Sequence, residues 1–269
     1  PDGGVWVAPR AEIRLEDGAR FATDFELLRG RVGTALSEYV EENGMDLVVM
    51  TTHGRGGLQR AWLGSTADSL IRHCMIPILL VRPSEDTREI GPESDHEIHR
   101  VLAALDGSET AEKALRDAFE LGITEKASLV LVHGLQPPVA AASPYLPHTI
   151  QLTHDEIEAR EAHMKAYLER VAESEWLGAR PVETRVRVDY HPAPAIIELA
   201  EEEDAGLIAL GTHGRGGLRR LVLGSVADKV IRGTHRPVLV HRGVGAIARI
   251  RKKQARSDTS EPTEADARP

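Results

Sequence analysis

The fifteen residues from Thr51 to Ser65, TTHGRGGLQRAWLGS, return at Gly211 to Ser225 as GTHGRGGLRRLVLGS. At a spacing of 160 positions the match runs from Leu47/Leu207 to Arg82/Arg242, with about half of the paired residues identical. Similarity of that extent marks two copies of one folding unit. Whatever architecture the chain adopts must therefore be built twice.

The second copy reads cleanly. RVLAALDG (Arg100 to Gly107) is a short apolar run ending in Asp-Gly, and Ser108 is placed to cap a helix whose apolar face uses Ala111, Leu115 and Ala118. ASLVLVHG predicts a buried strand, followed by a Pro-rich crossing and a long charged helix from about Thr153 to Leu177. VETRVRV alternates with period two and predicts a third strand. A helix from Ala193 or Pro194 to Asp204 leads into AGLIALG, the fourth strand. The repeated phrase, the helix SVADKVIRG and a last strand PVLVHR close the unit. Strands alternating with helices at this spacing predict an α/β fold, a doubly wound, open and mostly parallel five-stranded sheet with helices on both faces, present in two tandem copies.

The first copy holds only the later part of this plan. FATDFELLRG stands where the third strand is expected, VGTALSEYVEENG is the helix, DLVVMTT the fourth strand and STADSLIRHCMIPILLV the last helix and strand. The turn-rich opening from Pro1 to Phe21 is expected as a remnant of the upstream crossing, in the form of a hairpin. With no opening strand, helix and second strand, the half-unit exposes a sheet edge and apolar helix faces, which calls for cover by the second copy, another chain or further residues. The expected organisation is a partial domain at 1–83, a polar linker at 84–97, a complete domain at 98–243 and a flexible charged tail at 244–269.

Composition narrows the function. The apolar runs are too short to cross a bilayer and no stretch resembles a signal peptide, so neither membrane nor export is expected. A formal charge of −9 argues against nucleic acid as a partner. Two basic clusters run against that balance: Arg215, Arg219 and Arg220 in the phrase, and Arg249, Arg251, Lys252, Lys253 and Arg256 in the tail. The single cysteine, Cys74, is expected as a core residue, and its usage fits a reducing cytosol. The twelve histidines show no metal-ligand spacing and most are expected in solvent.

In open parallel sheets ligands sit beyond the carboxyl ends of the strands, where the Asp106 and Gly211 loops both emerge. Gly211 ends the fourth strand without a side chain, Gly214, Gly216 and Gly217 let backbone N–H groups turn outward, and Gly224-Ser225 opens the last helix, whose N-terminus favours an anion. Asp106 is a carboxylate of the kind that accepts from ribose hydroxyls. The bland alternative is a tight turn, two ordinary serine caps and an Asp-Gly turn. Neither a P-loop nor a dinucleotide fingerprint is present.

Gly211-x-x-Gly214, nine residues, then Gly224-Ser225, with Asp106 ending the opening strand and PVLVHR at the end, resembles the universal stress protein family. The resemblance covers Arg100 to Arg242 and, for half a domain, about Phe21 to Arg82. It implies a stress-response regulatory protein that binds ATP, usually with Mg²⁺. Gly211, Gly214, Gly224 and Ser225 would hold phosphates, with Thr212, His213, Arg215 and Val226 adjoining, and Asp106 would orient the nucleoside. His213 can brace the loop or touch a phosphate. Many relatives end the second strand in His-Val, where this chain has His133-Gly134. Thr51 replaces the first glycine in the first copy, at a position read as needing glycine's freedom, so one competent site is expected. The resemblance also implies antiparallel pairing of final strands, as an intramolecular pseudo-dimer of IPILLV with RPVLVH or as a homodimer. No catalytic or metal-ligating set is expected, beyond slow ATP hydrolysis. The competing function is a family member that binds no nucleotide and works through dimerisation or protein contacts.

Overall fold

The computed structural model describes residues 11–14, 20–52, 63–82, 98–121, 127–136, 154–178, 180–212 and 223–242. The linker, the tail, His213, Gly214, Arg215, Arg219 and Arg220 lie outside the described residues. In the first copy the elements are β1 (Ala11–Arg14), β2 (Arg20–Thr23), α1 (Val32–Glu42), β3 (Val48–Thr51), α2 (Ser65–His73) and β4 (Ile78–Val81). In the second they are β5 (Arg100–Ala104), α3 (Glu109–Glu120), β6 (Ser128–Leu135), α4 (His154–Ala172), β7 (Val182–Val188), α5 (Pro192–Glu202), β8 (Leu207–Gly211), α6 (Ser225–Gly233) and β9 (Val238–His241). The long helix α4 stops short of its expected end. A 3-10 turn at Glu175–Leu177 takes over and closes on Gly178, whose φ of 67° lies in the left-handed region.

One seven-stranded sheet carries both copies, in the order β3-β4-β9-β8-β5-β6-β7. The five strands of the second copy are mutually parallel, and β3 runs parallel to β4. The copies meet where β4 and β9 pair antiparallel, with Ile78 opposite Val240 and Leu80 opposite Val238. These are the two strands that the resemblance pairs within one chain. One core lies under α2, α5 and α6 (Leu70, Ile71, Ile196, Leu199, Val230, Ile231) and the other under α3 and α4 (Leu115, Leu168, Leu129, Leu131). Cys74 is buried in the first of them, and burial raises its thiol pKa above the ordinary value.

The segment read as the first copy's third strand behaves differently from that expectation. β2 pairs only with β1, in a separate antiparallel ribbon with Ala11 opposite Thr23. Its equivalent in the second copy, β7, joins the sheet by pairing with β6. Among the described residues the first copy shows no such second strand for β2 to join. The opening is thus a hairpin, as expected from its turns. The half-unit also leaves apolar surface exposed. Val49 is 59% exposed, whereas its counterpart Ala209, covered by α3, is 1% exposed.

Equivalent turns recur. After α1, Met45 N donates to Val40 O and Gly44 N to Glu41 O, a Schellman closure with Gly44 at φ 60°. After α5 the same closure uses Ala205 N to Ala200 O, with Asp204 at φ 45° and its carboxylate held by Arg236 at 3.0 Å.

One histidine departs from the solvated expectation. His241, on β9, is 1% exposed and its Nδ1 meets the carboxylate of Asp117 on α3, itself 2% exposed. The counterpart of His241 in the first copy is Val81, and no counterpart of α3 exists there. Breaking a buried, hydrogen-bonded pair strands one polar partner, at a cost of about 3–5 kcal/mol. His241→Val alone should therefore lower the urea midpoint sharply, whereas His241→Val with Asp117→Leu should recover most of the loss; a fully additive double variant would show that the pair does not act as a unit.

Candidate functional site

A cleft of about 360 Å³ opens at the carboxyl ends of β5, β6 and β8. It is of small-molecule size. Asp106, Gly211, Thr212, Gly224, Ser225 and Val226 all line it, so six of the nine expected site residues converge on one place. The remaining three, His213, Gly214 and Arg215, lie outside the described residues. The ends of the glycine phrase are pinned together, because Gly224 N donates to Thr212 O at 2.7 Å and Thr212 N to His241 O at 2.9 Å. The first copy closes its phrase alike, with Gly64 N on Thr52 O at 2.9 Å.

Three helices present their N-termini here, and they are finished differently. α3 is capped: Ser108 Oγ accepts from Ala111 N at 3.3 Å, and Glu109 and Glu112 fill its first turn. α5 begins with Pro192 and carries Pro194 two residues on, so two of its first three positions have no N–H to offer. α6 follows Gly224, has no side-chain cap, and makes its first backbone bond from Asp228 N to Gly224 O. Its first N–H groups, of Ser225, Val226 and Ala227, have no acceptor within the helix. Of the three, α6 is the terminus suited to an anion.

Asp106 serves the turn as well as the cleft. Its Oδ1 accepts from Ser108 N at 2.9 Å, an Asx turn that fixes the carboxylate and leaves Oδ2 available. Opposite, an apolar wall of Ala104, Val132, Pro192 and Ile196 lines the cleft. His133 Nδ1 meets Leu105 O at 2.7 Å. A carbonyl only accepts, so Nδ1 carries the proton.

Two residues that spacing left unassigned shape this wall. A Cβ at Gly134 would lie 2.9 Å from Cβ and 3.2 Å from Cα of Pro192, so the start of α5 sits directly on the strand. The backbone of Gly134 is the second feature. Leu105 N donates to Val132 O on one side of β6 and Asp189 N to Leu135 O on the other. Alternation along the strand therefore turns the N–H and C=O of Gly134 toward the side where β5 has already ended at Ala104. A donor and an acceptor from one residue face the cleft. The signal for this was the length of the apolar run of β6 relative to β5.

Gly211 ends the strand without a side chain, as expected, but backbone freedom is not what requires it. It is absent from the residues of positive φ. A Cβ there would instead fall 2.8 Å from Ala111 N and 2.9 Å from the carbonyl carbon of Thr110, because the first turn of α3 rests on the end of β8. Among the described residues of the first copy no such helix covers the strand end, and Thr51 is exposed. Gly211→Thr, which copies the first unit's residue, must push α3 away from the strand. We expect a lower thermal midpoint than wild type and weaker packing of Asp106 in the cleft; an unchanged midpoint would mean that α3 tolerates the side chain without moving.

Among the described residues no cluster of three or more His, Cys, Asp or Glu side chains could hold a metal ion, and no helix is long and apolar enough to cross a membrane. The universal stress protein family model matches residues 7–82 and 97–242. A universal stress protein of Mycobacterium tuberculosis is 31% identical over 200 residues, covering 74% of this chain and 63% of the relative. A second from that organism is 31% identical over 219 residues, covering 81% and 64%. The chain thus spans less than two thirds of the length of these curated relatives. Among solved structures, a universal stress protein of Pseudomonas aeruginosa superposes with a TM-score of 0.57 at 17% identity, over 84% of this chain and 74% of that one. One of Archaeoglobus fulgidus gives 0.52 at 20%, over 78% and 67%. Both likenesses speak to the fold. With its family match extending over most of both copies, the chain belongs to the universal stress protein family.

Proposed function

We propose that the second copy binds an adenine nucleotide, ATP in the first instance, and that occupancy of this cleft is how the protein works as a stress-response regulator in the cytoplasm. The observation that carries the reading is the unequal finish of the three helix N-termini, which gives the cleft a direction. Phosphates belong at the open start of α6 beside Gly224 and Ser225, with Gly211, Thr212 and Val226 adjoining. The base belongs against Pro192 and Ile196, where the proline-blocked start of α5 offers apolar surface. The Gly134 N–H and C=O then meet a base edge that carries one donor and one acceptor, as N6–H and N1 of adenine do. Asp106 Oδ2 is left to accept from a ribose hydroxyl. His213, Gly214 and Arg215 complete the phosphate side in this reading.

A single carboxylate among the described lining residues suits Mg²⁺ arriving on the phosphates, with phosphate oxygens and water as its ligands. The proposal is binding and not turnover. The buried His241–Asp117 pair is sealed from solvent and does not line the cleft, so it cannot serve a ligand as general base. Among the described residues the first copy shows no counterpart of β5 or β6, so the site proposed here is that of the second copy.

The alternative, a family member acting through protein contacts without nucleotide, draws on the exposed apolar face around Val49. Calorimetric titration with ATP and Mg²⁺ separates the two. We expect a stoichiometry near one per chain and loss of binding in a folded Gly224→Val, Ser225→Ala variant. Absence of binding by the folded wild-type chain would favour the contact reading.

A further inference from the structure

We propose that Arg82, the residue that follows the last strand of the first copy, tunes ligand affinity in the second copy by holding the far end of α6. This rests on the nucleotide reading above and assigns that site its regulation. α6 has nine residues and is about 13 Å long. Its N-terminus lines the cleft through Ser225 and Val226. At its other end Arg82 Nη2 donates to the carbonyl of Arg232 at 2.9 Å, a last-turn carbonyl with no acceptor role inside the helix. A cation supplied by one copy thus caps the helix whose opposite pole faces the ligand of the other.

The placement is costly. Arg82 Nε is buried and has no hydrogen-bond partner among the described residues, and burial holds the guanidinium pKa below its ordinary value. A side chain that only decorated the surface would not be held there. Around it, the copies share charges. Arg232 Nε donates to Asp228 at 2.8 Å, and Arg72 Nε to Asp68 at 2.8 Å in the equivalent pair of α2. The positive charge of Arg232 acts on Asp68, and the negative charge of Asp228 acts on Arg72. The C-terminal half of α6 is therefore seated by the first copy, whereas its N-terminal half is seated by the cleft.

An anion at the N-terminus and a cation at the C-terminus favour the same helix in the same position. Two ligands of one rigid element are coupled, and the coupling is reciprocal. Arg242, the counterpart of Arg82, is near enough to Arg72 and Cys74 for their charges to act on its guanidinium, and among the described residues no counterpart of β5 or β6 accompanies α2.

The test is titration of the full chain with ATP and Mg²⁺. Arg82→Met should bind about two- to fivefold more weakly than wild type, and Arg82→Lys, which keeps a donor and a charge, should retain most of the affinity. Leu79→Ala, which loosens the same seam without touching α6, should bind as wild type; equal weakening there would overturn the proposal in favour of general destabilisation. Arg82→Met binding as tightly as wild type would overturn it outright, leaving the nucleotide reading intact. Failure of the wild-type chain to bind ATP would instead defeat the nucleotide reading and the coupling with it. Should Arg82→Met not fold, hydrogen exchange on wild type decides: ATP should slow exchange at Ile231, Arg232 and Gly233, and unchanged rates there would overturn the proposal.

Discussion

Everything in the first copy depends on the antiparallel contact between β4 and β9. β3 and β4 alone would be a two-stranded ribbon of four residues each, which is too little to stand in water. Pairing with β9 makes them the outer strands of a sheet whose adjoining core both copies supply. The same contact brings α2 and α6 side by side and delivers Arg82 to the end of α6. Strands of the two copies therefore share one sheet.

The cleft owes its character to how helices begin and not to unusual side chains. Its described lining residues carry one carboxylate and no lysine or arginine. Discrimination between its two ends comes from a serine cap on α3, two prolines in α5 and a bare glycine before α6. Each is a small choice of residue that decides how many backbone donors remain at a helix start.

Much of the second copy was legible because β5, β6, β8 and β9 are largely buried and read as apolar runs, β7 alternates with period two, and its helices are punctuated by Ser108, Pro194 and Gly224. Asp106 and the glycine phrase could be assigned to one ligand-bearing edge from topology alone. What was not legible came from contacts between distant segments. The intolerance of a side chain at position 211 depends on where Thr110 and Ala111 lie, and the placement of Pro192 depends on Gly134. Local propensity speaks of backbone freedom and is silent on close approach, so the need for a bare residue at Gly211 could be read but not the helix that imposes it. The fate of β2 was hidden for a related reason, since its strand character was correct but a strand needs a neighbour. His241 looked like any other histidine until α3 placed Asp117 over it.

The overhang of β6 beyond β5 has an evolutionary consequence. A ligand edge read by the N–H and C=O of Gly134 is read by groups that every amino acid except proline possesses. Drift in side chains around the cleft can alter how tightly a ligand is gripped, yet it cannot easily rewrite the donor–acceptor pattern. Changing that pattern requires lengthening β5 or shortening β6, an insertion or deletion inside a buried sheet. Ligand choice in such a cleft is insulated from point substitution by the very register that builds the fold.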